Sequence, residues 1–348
     1  MVNVSFLGDI SLNDNYVTLY KEGINPFSNL NPYLKKTDLI IGNLECFSKG
    51  DFGENKLKNP RLTTTIETLN YLKLIKLNVA CLANNHVYDH LEDGFKKTTD
   101  FLQNNEISFL GASYEKGKES EPKIIEKDDL KIGLFNYVTE DTHPNLPSNA
   151  SVFLNIFNLD KALIDIKSIK NRVNHLVILF HWGGSVEGGN YPDWYQITIS
   201  RKLIDAGADL IIGHHSHTLQ PYEEYKGKYI FYSLGNFCIS NFSIGNKDYN
   251  YYNYNYISAI PTFTFDNKIK LKKILFIQNF ETYYKVTDTS FKFILKKTFF
   301  KLFIRFKPFF YLYKFDYKYF KTIRSLLLCK KFSSNKKLDI IKTKIRSK

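Results

Sequence analysis

The chain alternates short apolar runs of strand length with longer segments of helical periodicity. The runs predict strands at residues 2–7, 38–41, 79–82, 132–137, 176–180, 210–212 and 229–232, with a closing pair at 256–265 and 270–277. Residues 65–76, 92–104 and 194–206 carry apolar side chains three and four positions apart, which predicts amphipathic helices. Gly207 directly follows the last of these and predicts its C-cap. Such alternation is typical of layered α/β proteins.

Polar side chains follow five of the predicted strands at the point where each strand ends. They are Asp9, Glu45, Asn84-Asn85-His86, His181 and His214-His215-Ser216-His217. Ligands and catalytic groups collect outside the carboxyl ends of strands in α/β sheets, so we expect the five segments to converge on one site. Alone, Asp9 can equally cap a turn and His181 can be satisfied by backbone partners. The clustered histidines are harder to explain structurally because protonated imidazoles repel one another.

The chemistry of these side chains points to a metal. Carboxylate oxygens and imidazole nitrogens suit divalent transition metals such as Zn, Mn or Fe. The four cysteines are spread without the paired spacing of a zinc site or of a disulfide scaffold, which indicates buried thiols in a reducing compartment. The donor set therefore favours a hydrolytic centre open to water over a closed structural zinc site.

Six motifs occur in order between Gly8 and Phe237. They are Gly8-Asp9, Gly42-Asn43-Leu44-Glu45, Asn84-Asn85-His86 with Asp89, His181-Trp182-Gly183, Gly213-His214-His215-Ser216-His217 continuing to Gln220-Pro221, and Tyr232-Ser233-Leu234-Gly235-Asn236-Phe237. This set resembles the CapA family of bacterial capsule and poly-γ-glutamate synthesis proteins, a branch of the calcineurin-like metallophosphoesterase superfamily. The resemblance implies an α/β fold of four layers (αββα), with two β-sheets flanked by helices and metals at the strand ends.

The resemblance also implies a role for each site residue. The ligands of one or two divalent ions (Mn, Zn or Fe) are Glu45 as the bridge, Asn85, His181 and His215 at one ion, and Asp9 with His217 at the other. His86 is the implied acid that protonates the leaving group, and Asp89 either orients it or shapes the loop. Ser11 stands where many phosphoesterases have a histidine, so the Asp9–His217 site has fewer protein ligands.

Four more residues are candidates for binding substrate: Arg61, Asn43, His214 and Asn236. Arg61 lies in the loop before the helix predicted at 65–76, where its guanidinium can clamp a substrate oxygen bidentately. A solvated arginine is the more usual role.

The positive charge lies at the C-terminal end. Residues 285–348 carry 19 Lys plus Arg and three acids, so this segment is at +16 while residues 1–284 are at −3. Between 291 and 320, 14 Phe or Tyr residues alternate with these cations. The resemblance implies a CapA-like metallophosphoesterase domain at 1–280, and composition predicts a basic aromatic-rich helical extension at 285–332 and a disordered tail at 333–348. The extension either contacts anionic lipid or completes the core; nucleic acid is disfavoured because no recognisable module accompanies it.

Two functions fit these observations. The first is a metal-dependent hydrolase of a phosphorylated or polymeric envelope substrate, acting in capsule, poly-γ-glutamate or other envelope-polymer synthesis. The second is a non-catalytic CapA-like assembly factor that supports a polymer synthase or exporter at the membrane. The N-terminus lacks the pattern of a signal peptide and no run is apolar enough to span a bilayer, so we expect a cytoplasmic protein, with peripheral contact at the inner membrane face through 285–332.

Overall fold

The computed structural model describes residues 1–244, 247–249, 251–287 and 290–315. The chain divides into two compact units, Met1–Phe293 and Ile294–Lys348. The strands are β1 (Val2–Ile10), β2 (Leu39–Leu44), β3 (Phe47–Ser48), β4 (Thr63–Thr64), β5 (Val79–Cys81), β6 (Ser108–Leu110), β7 (Ala112–Ser113), β8 (Lys123–Lys127), β9 (Leu130–Val138), β10 (Phe153–Leu154), β11 (His175–His181), β12 (Leu210–His214), β13 (Tyr222–Tyr225), β14 (Lys228–Phe231), β15 (Asn236–Cys238), β16 (Phe242–Ile244), β17 (Lys247–Tyr249), β18 (Ile257–Phe265), β19 (Ile269–Asn279) and β20 (Tyr284–Val286). The α-helices are α1 (Asn15–Lys21), α2 (Asn31–Leu34), α3 (Tyr71–Leu74), α4 (Leu91–Asn104), α5 (Leu159–Ile169), α6 (Trp194–Ala206), α7 (Ser290–Arg305) and α8 (Lys307–Phe315).

Two large sheets build the first unit. One has the strand order β20-β19-β18-β1-β2-β5-β6, with β15 also paired to β1, and the other has the order β13-β14-β12-β11-β9-β8. Strands β1, β2, β5 and β6 are mutually parallel. Strands β9, β11, β12 and β14 are parallel as well. The carboxyl ends of the central strands therefore lie together along one edge of each sheet.

The sheets are held face to face by an apolar core. Phe6 of β1 and Ile41 of β2 share one buried cluster with Leu179 of β11 and Ile212 of β12, so this core lies between the sheets. Side chains alternate along a strand, and Leu7 accordingly belongs to a second cluster on the opposite face. That second cluster packs the outer face of the first sheet against α3 and α4 through Leu72 and Leu102.

Helices α5 and α6 form the remaining outer layer. Arg201 of α6 donates from Nε to Glu223 Oε1 of β13 at 2.9 Å, and Ile166 of α5 lies against Gly207 at the end of α6. The predicted α/β sandwich of four layers is therefore confirmed. Residues 194–206 form α6 as predicted, and Gly207 follows it with a φ of 125°. The described cysteines are buried thiols, as expected, and Cys329 lies outside the described residues.

Two helical segments differ from the prediction. The helix predicted at 65–76 is a 3₁₀ turn, Thr68–Asn70, followed by the single turn of α3. Thr65 Oγ1 accepts from Thr68 N at 3.3 Å and Asn70 Nδ2 donates to Glu67 O at 2.8 Å, and such local bonds compete with a regular helix. The sequence prediction also missed α5, whose N-cap Asn158 accepts from Lys161 N at 3.0 Å.

The C-terminal extension begins close to the first sheet. Strand β20 pairs with β19, and α7 and α8 follow within the segment predicted to be helical. The predicted boundaries at 280 and 285 stay predictions, and the tail predicted to be disordered at 333–348 lies outside the described residues. Within the described parts of the chain, no helix combines the length and the apolar character needed to cross a membrane.

Candidate metal centre

The six predicted ligands come together at the carboxyl ends of five strands. Asp9 lies near the end of β1, Glu45 follows β2, Asn85 follows β5, His181 ends β11, and His215 with His217 follows β12. All six side chains are buried. The convergence expected from the strand-end pattern therefore occurs in the folded chain.

Three of these residues form a group compact enough to hold one ion. Ligand atoms of Glu45, His215 and His217 all lie within 4.8 Å of one another. Within the described residues, both carboxylate oxygens of Glu45 and both ring nitrogens of His215 are buried without a hydrogen-bond partner. Leaving one such group unpaired costs about 1–3 kcal/mol, and more when the group is charged. Two carboxylate oxygens and two imidazole nitrogens without hydrogen-bond partners are suitable ligand atoms for a divalent transition metal.

Glu45 lies between the two predicted halves of the centre. Its Oε1 atom is 3.7 Å from His181 Nε2 and also 3.7 Å from His217 Nε2. His181 Nε2 is in turn 2.8 Å from Asn85 Oδ1, while His217 Nδ1 is 3.7 Å from Asp9 Oδ2. This arrangement supports the bridging role that the resemblance implies for Glu45.

The backbone after β12 is shaped to present two imidazoles. His215 and His217 have φ values of 84° and 54°, in the left-handed region that residues other than glycine seldom adopt. The amide of His215 donates to Asp9 Oδ2 at 3.1 Å, and Asn255 Nδ2 donates to His217 O at 2.7 Å. Backbone strain held in place by surrounding contacts is common at functional sites.

Two predicted substrate-binding residues lie behind the ligands. Asn43 Nδ2 donates to Asp9 Oδ1 at 2.8 Å and lies 3.2 Å from His181 Nδ1. Asn236 Oδ1 is 2.8 Å from His217 Nδ1 and accepts a hydrogen bond from it. Partners of this kind orient a ligand and fix which imidazole nitrogen faces the metal. Substrate contact by Asn43 or Asn236 stays a prediction.

The other two substrate-binding candidates are not brought to the ligand cluster. His214 bridges the sheets, because its ring nitrogens lie 3.1 Å from Leu7 O and 3.1 Å from Phe180 O. Arg61 donates from Nε to Glu54 Oε2 at 2.7 Å and from Nη1 to Lys58 O at 2.6 Å. Both side chains are thus engaged within the fold.

The predicted acid and its orienting residue are in contact. His86 Nδ1 lies 2.7 Å from Asp89 Oδ2, which also accepts from Leu62 N at 2.7 Å. A carboxylate beside Nδ1 favours the proton there and leaves Nε2 for exchange. Burial lowers the pKa of His86, and the charge of Asp89 partly offsets this effect.

Burial and mutual charge set the protonation of the ligands. Burial raises the pKa of Glu45 to about 8, against the opposing charge of His217. Burial alone would lower the pKa of His217, but the carboxylates of Glu45 and Asp9 raise it to about 9. Burial and neighbouring imidazoles hold the pKa values of His181 and His215 well below the usual range. Those two rings are therefore neutral, which is the form that binds metals.

A cavity of about 690 Å³ opens at this centre. The predicted residues Asn85, His86 and His217 line it together with Lys58 and Tyr251, which the sequence interpretation missed. No local pattern marked either one: Lys58 is one of many lysines, and Tyr251 belongs to an Asn- and Tyr-rich tract. Their place in the cavity lining depends on contacts between loops that are distant in sequence.

The comparisons with known proteins point to one family. The family model described as "Bacterial capsule synthesis protein PGA_cap" matches residues 3–241. The PGA biosynthesis protein CapA of Bacillus subtilis is 30% identical over 252 residues, which is 68% of this chain and 63% of that protein. The capsule biosynthesis protein CapA of Bacillus anthracis is 30% identical over 241 residues, 64% of this chain and 55% of that protein. The matched region thus spans less than two thirds of each relative.

Among solved structures, the chain is similar to the NAD nucleotidase of Haemophilus influenzae. The TM-score is 0.50 at 14% sequence identity, over 84% of this chain and 60% of that chain. At this identity the likeness concerns the fold alone.

Proposed function

This chain belongs to the family of bacterial capsule synthesis proteins, and from that premise we propose that it is a metal-dependent hydrolase of phosphoesters. Its place is in the synthesis of capsule, poly-γ-glutamate or another cell-envelope polymer. The observation that carries the proposal is the set of buried, unpaired donor atoms on Glu45 and His215 beside the His86–Asp89 pair.

The residues that hold the metal are Asp9, Glu45, Asn85, His181, His215 and His217. A divalent metal bound there supplies Lewis-acid polarisation of a phosphoryl oxygen and activates water for attack. Asn43 and Asn236 keep Asp9 and His217 in position through the hydrogen bonds described above. Metal binding also fits the neutral state of His181 and His215.

His86 provides the proton for the departing group. Asp89 accepts the hydrogen bond of His86 Nδ1 and stabilises the protonated ring, whose Nε2 gives its proton to the leaving-group oxygen and leaves the ring neutral. The cavity that His86 lines has the size of sites that enclose small molecules, about 300–1,000 Å³. A small phosphoester or the end of a polymer chain fits such a space.

Metal analysis combined with a phosphoesterase assay tests this proposal. We expect purified protein to contain Mn, Zn or Fe and to cleave a simple alkyl phosphoester such as glycerol phosphate, whose alkoxide leaving group needs a proton. His86→Ala is expected to lose about 100-fold or more of the activity while retaining its metal, because general acid catalysis contributes about 10²–10⁴-fold. Protein that carries its metal but cleaves no phosphoester with any of the three metals contradicts the proposal.

A second function, that of an assembly factor at the membrane, is favoured by the surface of α7 and α8. Leu295, Phe299 and Leu302 are exposed and spaced four and three residues apart, which places them on one helical face. Residues 290–315 contain seven Lys plus Arg and no acidic residue. Exposed apolar side chains among cations suit an anionic lipid surface. We propose that this face brings the protein to the membrane, where it supports polymer-synthesis machinery.

Sedimentation of the full chain with vesicles tests the membrane contact. We expect binding to phosphatidylglycerol-containing vesicles to exceed binding to pure phosphatidylcholine, and the triple variant Leu295→Ser, Phe299→Ser, Leu302→Ser to weaken it about tenfold. Phe52→Ser is the control, because Phe52 is also an exposed apolar residue, at 79% against 43–54% for the three, but lies in the first unit. Equal sedimentation of all three proteins argues against the membrane role.

A further inference from the structure

Lys58 is a buried cation that the proposed mechanism does not yet use. It lies in the loop between β3 and β4, and only 5% of its surface is exposed. Its Nζ atom donates to His143 O at 3.1 Å, which is its one hydrogen-bond partner within the described residues. Since an ammonium carries three N–H donors, two remain for a ligand. A buried charge with unused donors is costly unless an anion meets it.

The loop holds Lys58 in a fixed place. Arg61 Nη1 donates to the backbone oxygen of Lys58 at 2.6 Å, and Asn55 O accepts from Lys58 N at 3.2 Å. Asn55 Nδ2 also donates to Asn145 O at 3.0 Å, which ties this loop to the loop that supplies His143. Arg61 therefore positions the main chain around Lys58. A donor held in place before binding loses little freedom when it binds.

Lys58 faces the same cavity as the candidate metal ligands. It lines the cavity with Asn85, His86 and His217. Burial lowers the pKa of Lys58, while the charges of Asp89 and Glu45 act to raise it. The ammonium is thus close enough to feel both the bridging carboxylate and the carboxylate that orients His86. A group bound at Lys58 would share the cavity with the candidate metal ligands and His86.

We propose that Lys58 binds a phosphoryl oxygen of the substrate and places the phosphoester between the metal ligands and His86. The proposal rests on the proposed function, because it takes the cavity as the substrate site of that reaction. Lysine acts as a compact point charge and is a common phosphate ligand in proteins. Glu187 also lines the cavity, and its carboxylate disfavours a ligand with many negative charges.

Calorimetric titration of the metal-loaded full chain with inorganic phosphate tests the assignment. We expect Lys58→Met to raise the dissociation constant about tenfold or more, because a hydrogen bond to a charged group contributes about 1.5–3 kcal/mol. Lys58→Arg keeps the charge and is expected to retain part of the affinity. Lys56→Met is the matched control: Lys56 lies in the same loop but is exposed, so its loss leaves the affinity unchanged. Metal content and thermal unfolding are measured for each variant.

The outcomes separate this inference from the proposed function. Phosphate binding that depends on Lys58 in a protein that cleaves no phosphoester supports the inference and removes the hydrolase proposal. A folded, metal-replete Lys58→Met protein with wild-type phosphate affinity overturns the inference, even if the protein hydrolyses phosphoesters. Wild-type protein that binds free glutamate but not phosphate also overturns it, because Lys58 then serves a carboxylate.

Discussion

The buried polar side chains at the two ends of strand β12 differ in whether they have hydrogen-bond partners. Just before its amino end, Asp209 accepts from Leu176 N at 2.9 Å, from Lys170 Nζ at 2.6 Å and from Lys228 Nζ. Just after its carboxyl end, both ring nitrogens of His215 are buried without a partner in the described residues. The first arrangement is complete by itself and stabilises the fold. The second leaves two buried ring nitrogens of the kind that can bind a metal.

Protonation follows the same division. Burial by itself would raise the pKa of Asp209, but the bonds from Lys170, Lys228 and the Leu176 amide outweigh it and lower that pKa. At the other end, burial and the charge of His217 hold the pKa of His215 well below its usual range. Asp209 is therefore held charged by the protein, whereas His215 is held neutral, which is the form of the ring that can bind a metal.

Backbone conformation differs in the same sense. Gly207, before the strand, has a φ of 125°, a conformation in which glycine has no side chain to strain. After the strand, positive φ values occur at His215 and His217, whose side chains are candidate ligands. At the amino end, the unusual φ value falls on a glycine, which adopts it without strain. At the carboxyl end, the positive φ values fall on two histidines, so the backbone there is strained.

The largest effect is expected for His215→Ala. Removing a ligand of the central group should weaken binding of Mn, Zn or Fe at least 100-fold, which corresponds to about 2.7 kcal/mol. The apo protein should not lose stability to the same degree, because an unpaired group is removed. Metal titration and urea unfolding of the apo form measure the two quantities. Unchanged metal affinity would show that His215 is not a ligand, and it would contradict the difference proposed between the two ends of β12.

Asp209→Asn should show the reverse behaviour. We expect the free energy of unfolding at pH 7 to fall by about 2 kcal/mol, since hydrogen bonds to a charged group are lost, with no change in metal affinity. Because the pKa of Asp209 is lowered by folding, its contribution is present above the unfolded pKa of about 3.9 and is lost as pH falls through the folded value. Urea unfolding at pH 7, 5 and 3 should show the difference shrinking towards acid.

Asp205→Asn is the control for that series. Asp205 pairs with Lys226 at 2.6 Å, but both side chains are exposed, so its loss should leave stability nearly unchanged. An equal loss in both variants would mean that burial of Asp209 contributes nothing special.

Asn236→Ala should weaken metal binding without removing a ligand. The variant loses the acceptor for His217 Nδ1, and loss of such an orienting partner typically costs about 10–100-fold in metal affinity. We expect the lower end of that range, because Asn255 still donates to the backbone oxygen of His217. Asn104→Ala, at an exposed asparagine of α4, serves as control. If the two variants bind metal equally well, the hydrogen bond does not orient His217.

The smallest effect is expected for Gly207→Ala. A Cβ at a φ of 125° is strained, and we expect a loss of about 1 kcal/mol in the free energy of unfolding. Metal affinity should not change, because the strain lies at the amino end of β12. Thermal unfolding with and without added metal separates the two quantities. A change in metal affinity would show that the two ends of the strand are coupled.

Much of the site was predictable because its residues end strands. Asp9, Glu45, Asn85, His181 and the His215–His217 pair follow apolar runs, and parallel strands bring their carboxyl ends together. Arg61 and Lys58 show where this reasoning stops. A guanidinium and an ammonium three positions apart in one loop look alike in sequence, yet one is tied to loop carbonyls and the other lines the cavity.

The sequence by itself determined the layered α/β fold and the candidate ligands, since strand periodicity and chain order are local properties. Tertiary structure decided which polar groups are left without partners. Asn43, Asn236 and His214 belong to the same motifs as the candidate ligands. Packing directs Asn43 and Asn236 towards Asp9, His181 and His217, whereas it places His214 between the two sheets. Only long-range contacts distinguish a residue that can bind a metal from one that orients such a residue. The reason is that the hydrogen-bond partners of each side chain come from distant segments of the chain.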